Sequence, residues 1–162
     1  MRDLVPRGVL EFRAAEVADV VEAKRLVTMV AAPYDEPALV EYRGRMVRES
    51  FAPGAFAGVE KRPGRVVVNR DHDLGRLVGR AIEFREGGGL IATAKVAETP
   101  VGDESLELAR IGALSASVGM YVDLRGQVVT STTRRITRAW LDHLALVPQP
   151  AYPGAVVLSV TD

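Results

Sequence analysis

The 162-residue sequence has no cysteine, which removes disulfides, thiolate catalysis and zinc-thiolate sites together and fits a reducing compartment. With only two histidines, any metal site would have to be built largely from carboxylates. Charge of one sign is also missing: 21 basic residues balance 21 acidic ones, and the basic footprint of a nucleic-acid binder is not there. No apolar run approaches the roughly 18 residues of a membrane span, and the opening MRDLVPRGVLEF lacks the apolar centre of a secretion signal. Internal repeats and low-complexity segments are absent as well. What is present is an ordinary soluble composition, 48% hydrophobic and 26% charged. Its length suits a single domain over residues 1–162 with a short tail over about 1–7. The expectation is an intracellular protein that engages neither nucleic acid nor a membrane.

Strand signals come early and often. RGVLEFRA predicts a first strand, the polar segment 16–23 a loop, and RLVTMVAA (25–32) a buried β-branched strand. LVEYRGRMVRE reads as a hairpin turning at Arg43-Gly44 with its arginines solvated. Pro53 suits the first turn of a short helix reaching Glu60, capped by Ser50 or the chain just before the proline. RVVVN (65–69) is a short strand delivering Asp71, His72 and Asp73 at its end, and a second hairpin, 80–85 with 90–96, turns at Gly87-Gly88-Gly89. That triplet opens a strand and no helix, so it is a turn and not a phosphate loop.

Thr99-Pro100 marks a helix start, with Asp103 and Glu104 where the helix dipole favours acids. The helix is expected to run to about Arg110, packing through Val101, Leu106, Leu108, Ala109 and Ile111, with Gly112 as a left-handed cap. A strand over 114–121 follows, then QVVTST, a long strand over 135–147 broken by a bend, a proline-bearing turn, and a last strand VVLSV. Many short strands with one strong helix and one short one argue for an α+β fold, a mostly antiparallel β-barrel with a few surrounding helices.

The stretch LSASVGMY (114–121) carries the chemistry. Its alternation puts Leu114, Ala116, Val118 and Met120 on one face and Ser115, Ser117, Gly119 and Tyr121 on the other. A serine held on a rigid strand, with a glycine two residues on, has open space beside its hydroxyl, as a nucleophile attacking a bulky carbonyl needs. An ordinary half-buried strand shows the same pattern. His72, at a strand end, is placed either as a fixed catalytic group or as a surface imidazole among charges. His72 with Asp71 or Asp73 also matches metal-ligand chemistry, although no further ligand spacing completes a set.

Four motifs occur in one order: Glu49-x-Phe51-x-Pro53-Gly54-Ala55-Phe56; Asn69-x-x-His72-Asp73 with Val78-Gly79-Arg80; Gly112-x-Leu114-Ser115-x-Ser117-Val118-Gly119-Met120; and LDHLALVPQPAY over 141–152. This order resembles the prohead maturation proteases of HK97-type tailed phages over about residues 49–155. The resemblance implies a serine endopeptidase, related in fold to the herpesvirus assemblins, that needs no cofactor. It would cleave scaffold segments of the major capsid protein, and itself, inside the immature capsid in the host cytoplasm. The capsid protein is the implied partner, and self-association is left open.

By resemblance, Ser117 is the nucleophile and His72 the base. The third position falls on His143, beside Asp142, where many members carry an acid and the assemblins a histidine. Arg134 and Arg135 resemble the paired arginines that hold the oxyanion in assemblins; a solvated pair is the ordinary alternative. On a regular strand Asp142 and His143 point to opposite faces, Asp142 with Trp140, Leu144 and Leu146, His143 with Ala139, Leu141, Ala145 and Val147. Only one of the two then reaches His72. Neither face is plainly polar, so Asp142 stays the alternative third member. A neutral His72 takes the Ser117 proton and returns it to the leaving amine, so activity should rise with pH through the histidine range. Two other classes remain open: a non-catalytic assembly or scaffold-binding module, and a metal-dependent hydrolase.

Overall fold

Alternating inside-outside residues make most of the chain extended. The computed structural model describes residues 8, 10–15, 17–21 and 24–148; the expected tail, the proline-bearing turn after 148 and the strand VVLSV lie outside them. Among the described residues twelve strands and one α-helix follow in order: β1 (Leu10–Ala15), β2 (Val17–Val21), β3 (Leu26–Pro33), β4 (Ala38–Tyr42), β5 (Arg45–Phe51), β6 (Val67–Arg70), β7 (Asp73–Glu86), β8 (Gly89–Val96), α1 (Pro100–Arg110), β9 (Ser115–Tyr121), β10 (Gln127–Val129), β11 (Thr133–Ile136) and β12 (Trp140–Val147). In β3, Val27, Met29 and Ala31 are buried while Leu26, Thr28 and Val30 are only half-buried, the alternation of a strand with one face on the core. The β4–β5 hairpin turns at Arg43-Gly44 as expected, both at positive φ, and pairs Val40 with Val47 inside.

Eight strands form one sheet in the order β1-β9-β12-β6-β7-β8-β3-β2, and β10-β11-β5-β4 form a second. The pairings are antiparallel except for β12 with β6 and β11 with β5. The large sheet curls into a half-barrel, and among the described residues β1 and β2 end it without pairing to each other. Among the described residues it is a curled half-barrel sheet, in keeping with a mostly β, α+β fold. Between the sheets lie Phe51 and Phe56, ring centroids 5.4 Å apart, with Val68, Val118, Met120, Leu144 and Leu146. Phe51, Ala55 and Phe56 of the first resemblance motif are thus core.

Helix α1 has the expected ends. The Thr99 side chain accepts from the Gly102 amide at 3.2 Å, Pro100 occupies the first turn, and Gly112 follows at φ 75°. Leu106 and Ala109 pack inward, but Ile111, past the last turn, is exposed.

Other elements differ from expectation. The segment expected as a loop contains β2, which among the described residues is an edge strand bonded only to β3; an edge strand needs no two-sided apolar pattern, and the polar composition of the segment hid it. The expected helix after Pro53 is a run of turns closed by a 3-10 turn at Val59–Lys61, with Ser50 still inside β5. Gly54 and Gly58, at φ 77° and 98°, are left-handed and stop the chain from winding. The long strand expected over 135–147 is two strands in different sheets, joined where the Ala139 amide bonds the Ala55 carbonyl at 2.7 Å.

A buried charge cluster ties the two sheets together. Arg134 of β11 reaches Glu11 of β1 at 2.5 Å and Glu49 of β5 at 2.9 Å, while Arg13 of β1 also binds Glu49. Burial works against the Arg134 charge, but the bonds and charges of Glu11, and then Glu49, hold its pKa above the ordinary arginine value.

Candidate active site

Strand β9 lies between β1 and β12. Its partners show which face each residue takes: Val118 lies opposite Leu144, and Ser117 opposite Ala145. Val118 and Leu144 point into the core, so Ser117, Gly119, Ala145 and His143 occupy the other face.

His72 is delivered by the β6–β7 turn, in which Arg70 pairs with Asp73 and only Asp71 and His72 lie between. Both central residues have positive φ, 57° and 59°, the geometry of a tight hairpin turn that normally uses Asn-Gly. A non-glycine residue there costs about 1–3 kcal/mol and persists where the surroundings hold it, often at functional sites. The Asp71 amide is held by the Leu146 carbonyl at 3.1 Å, which fixes the turn over β12.

From this turn the His72 ring bridges the two strands. Its Nε2 lies 2.8 Å from Ser117 Oγ, and its Nδ1 lies 2.8 Å from His143 Nε2. The imidazoles meet edge to face with centroids 5.1 Å apart. His143 and Ser117 are buried, while His72 is half-buried. Burial first, then the neighbouring His143, lowers the His72 pKa to about 4, against an opposing pull from Asp71. His72 is therefore neutral at physiological pH, with a lone pair on one of its two ring nitrogens.

The structure brings Ser117, His72 and His143 together, and it brings Asp142 as well: Asp142 Oδ2 is 2.9 Å from His143 Nδ1. Alternation made the two neighbours exclusive, and a bulge removes that exclusion. Opposite β9, Leu141 pairs with Met120 and His143 with Gly119, leaving Asp142 as an extra residue. No periodicity in the sequence signals such an insertion.

The glycine beside the serine also has a different purpose from the one expected. A Cβ on Gly119 would fall 2.3 Å from Cε1 of His143, so the space beside Ser117 holds the imidazole.

The described bonds of Arg134 and Arg135 lead to groups other than Ser117. Arg134 is spent on Glu11, Glu49 and Gln127, and Arg135 on Asp35 at 2.6 Å and Ser50 at 3.5 Å. Glu11 and Arg13 pair with Met120 and Val118, which puts their cluster on the core face of β9, away from the Ser117 hydroxyl. Asp71 bonds Arg76 at 3.1 Å and Asp73 accepts from the Gly75 amide at 2.8 Å, so the described bonds of both acids lead away from His72.

A strand-borne hydroxyl bonded through one imidazole to a second is the kind of arrangement serine hydrolases use to activate a nucleophile. Residues 20–162 match the family model of the caudovirus prohead serine proteases, and the chain belongs to that family. No match was found among curated proteins or among solved structures. No helix among the described residues is long and apolar enough to cross a membrane.

Proposed function

We propose that this chain is a serine endopeptidase that cleaves the scaffold segment of its phage's major capsid protein, and itself, within the immature capsid. Ser117 is the nucleophile, His72 the general base and then acid, and His143 the group that orients His72. The observation that supports this most is the unbroken line from Ser117 Oγ through His72 to His143, with both bonds at 2.8 Å; family membership supports the reaction class.

In acylation, Ser117 Oγ attacks the scissile carbonyl carbon as its proton passes to His72 Nε2. The C–N bond then breaks and the leaving amine takes that proton. Water repeats the sequence on the acyl-serine and restores the free hydroxyl. The imidazolium on His72 is short-lived, since its site disfavours charge and so drives the proton on to the amine. A modest rate is sufficient for an enzyme enclosed with its substrate, where effective concentration replaces turnover.

Co-expression of the full chain with the capsid precursor, read by intact mass, tests the assignment. Wild type is expected to shorten the precursor, Ser117→Ala to leave it whole while folding normally, and Ser115→Ala to keep most activity. Cleavage by Ser117→Ala, or loss only in Ser115→Ala, overturns it.

A further inference from the structure

The Asp142 carboxylate has no place in the mechanism above, yet it lies 2.9 Å from the far nitrogen of His143. We infer that Asp142 is a positioning residue, the fourth member of the line Ser117–His72–His143–Asp142, which decides the direction of every hydrogen bond along it. Its chemistry rests on the protease reading; its geometry does not.

The backbone is distorted to make this contact. Leu141 faces Met120 in the core, whereas His143, two residues on, faces Gly119 on the opposite side. In a regular strand the two share a face, and the bulge at Asp142 turns His143 and its carboxylate neighbour toward the same site. Such a distortion needs bracing. Arg65 supplies it, with Nη1 bonding the Leu141 carbonyl at 2.6 Å and the guanidinium stacked 4.0 Å over the Trp140 ring. The Asp142 side chain is 36% exposed, so its other oxygen has access to solvent without a buried partner.

A carboxylate only accepts, so the proton of this bond sits on His143 Nδ1. That leaves a lone pair on His143 Nε2, which must accept from His72 Nδ1–H. His72 Nε2 then carries a lone pair toward Ser117 and can accept its proton. With the opposite tautomer on His143 the direction reverses: Nε2–H donates to His72 Nδ1, the His72 proton moves to Nε2, and Ser117 faces a donor and no base. The carboxylate thus supplies, one imidazole removed, the orienting role that an acid plays directly in a Ser-His-Asp site.

The test uses the full chain and an alkyl phosphonofluoridate, which needs no knowledge of the natural cleavage site. Attack forms a Ser117 O–P bond and breaks the P–F bond; His72 takes the serine proton and fluoride leaves. Asp142→Asn, equal in size, is compared with wild type for labelling rate by intact mass, for melting temperature, and for the His143 tautomer by nitrogen NMR shifts. The expected result is a proton on His143 Nδ1 in wild type, its loss in Asp142→Asn, and labelling slowed by about tenfold or more at an unchanged melting temperature. Labelling within about twofold of wild type, or a wild-type proton on Nε2, overturns the inference. If wild type takes no label at Ser117 the protease reading fails separately, and the tautomer alone decides Asp142.

Discussion

Gly119 and His143 occupy one space: a side-chain carbon on Gly119 would lie 2.3 Å from Cε1, 2.6 Å from Nε2 and 2.7 Å from Nδ1 of the His143 ring. The glycine two residues after the serine is therefore the seat of the second histidine. Gly119→Ala adds one methyl group at a buried site with no room for it, and the ring must move off His72. The expected outcome is loss of most Ser117 labelling, with destabilisation of about 1–3 kcal/mol from overpacking. Labelling rate and a denaturant melt check both, and normal labelling would mean that His143 can be displaced without consequence.

The lowered His72 pKa predicts where activity fails in acid. The base is neutral down to about pH 4, so the acid limb of Ser117 labelling should lie well below the ordinary histidine value of 6.5, not within the histidine range suggested by sequence. The same shift acts on stability. As pH falls from 6.5 to about 4, residue 72 takes up a proton in the unfolded chain before it does so in the fold, which favours unfolding. The stabilising share is complete above 6.5 and is lost across that window. His72→Gln lacks this share of the acid loss, so melting of the two proteins across the window should show wild type falling further. Parallel pH profiles would remove the assignment.

The Arg134 cluster predicts a stability effect in place of a catalytic one. Glu49 is fully buried between Arg13 and Arg134, and Glu49→Gln takes the shared carboxylate charge from both guanidiniums, leaving Glu11 as their remaining acid. Breaking a buried pair from one side costs about 3–5 kcal/mol, read as a lower denaturation midpoint. Below that midpoint the folded fraction should label at Ser117 at the wild-type rate. A rate collapse in folded protein would return Arg134 to the active site.

The sequence alone determined the features that depend on near neighbours. Thr99-Pro100 and Gly112 set the ends of α1 because caps act within one turn. Arg43-Gly44 set the first hairpin. The alternation of 114–121 put Ser117 on the face away from Val118, because a strand repeats every two residues. Ser117, His72 and His143 were singled out by the order of the resemblance motifs and by the chain's holding only two histidines, and the fold sets the three side by side.

What the tertiary structure decided depends on distant parts of the chain. Arg134 looked like a solvated or oxyanion-binding arginine until the fold placed it against Glu11, 123 residues away in sequence. The segment 16–23 looked like a loop because edge pairing leaves no two-sided pattern, and 135–147 looked like one strand because composition does not show a change of sheet. Asp142 was set against His143 by a strict two-residue period. One extra residue opposite Gly119 broke that period and set the two side by side, and only the pairing of β12 with β9 carries that information.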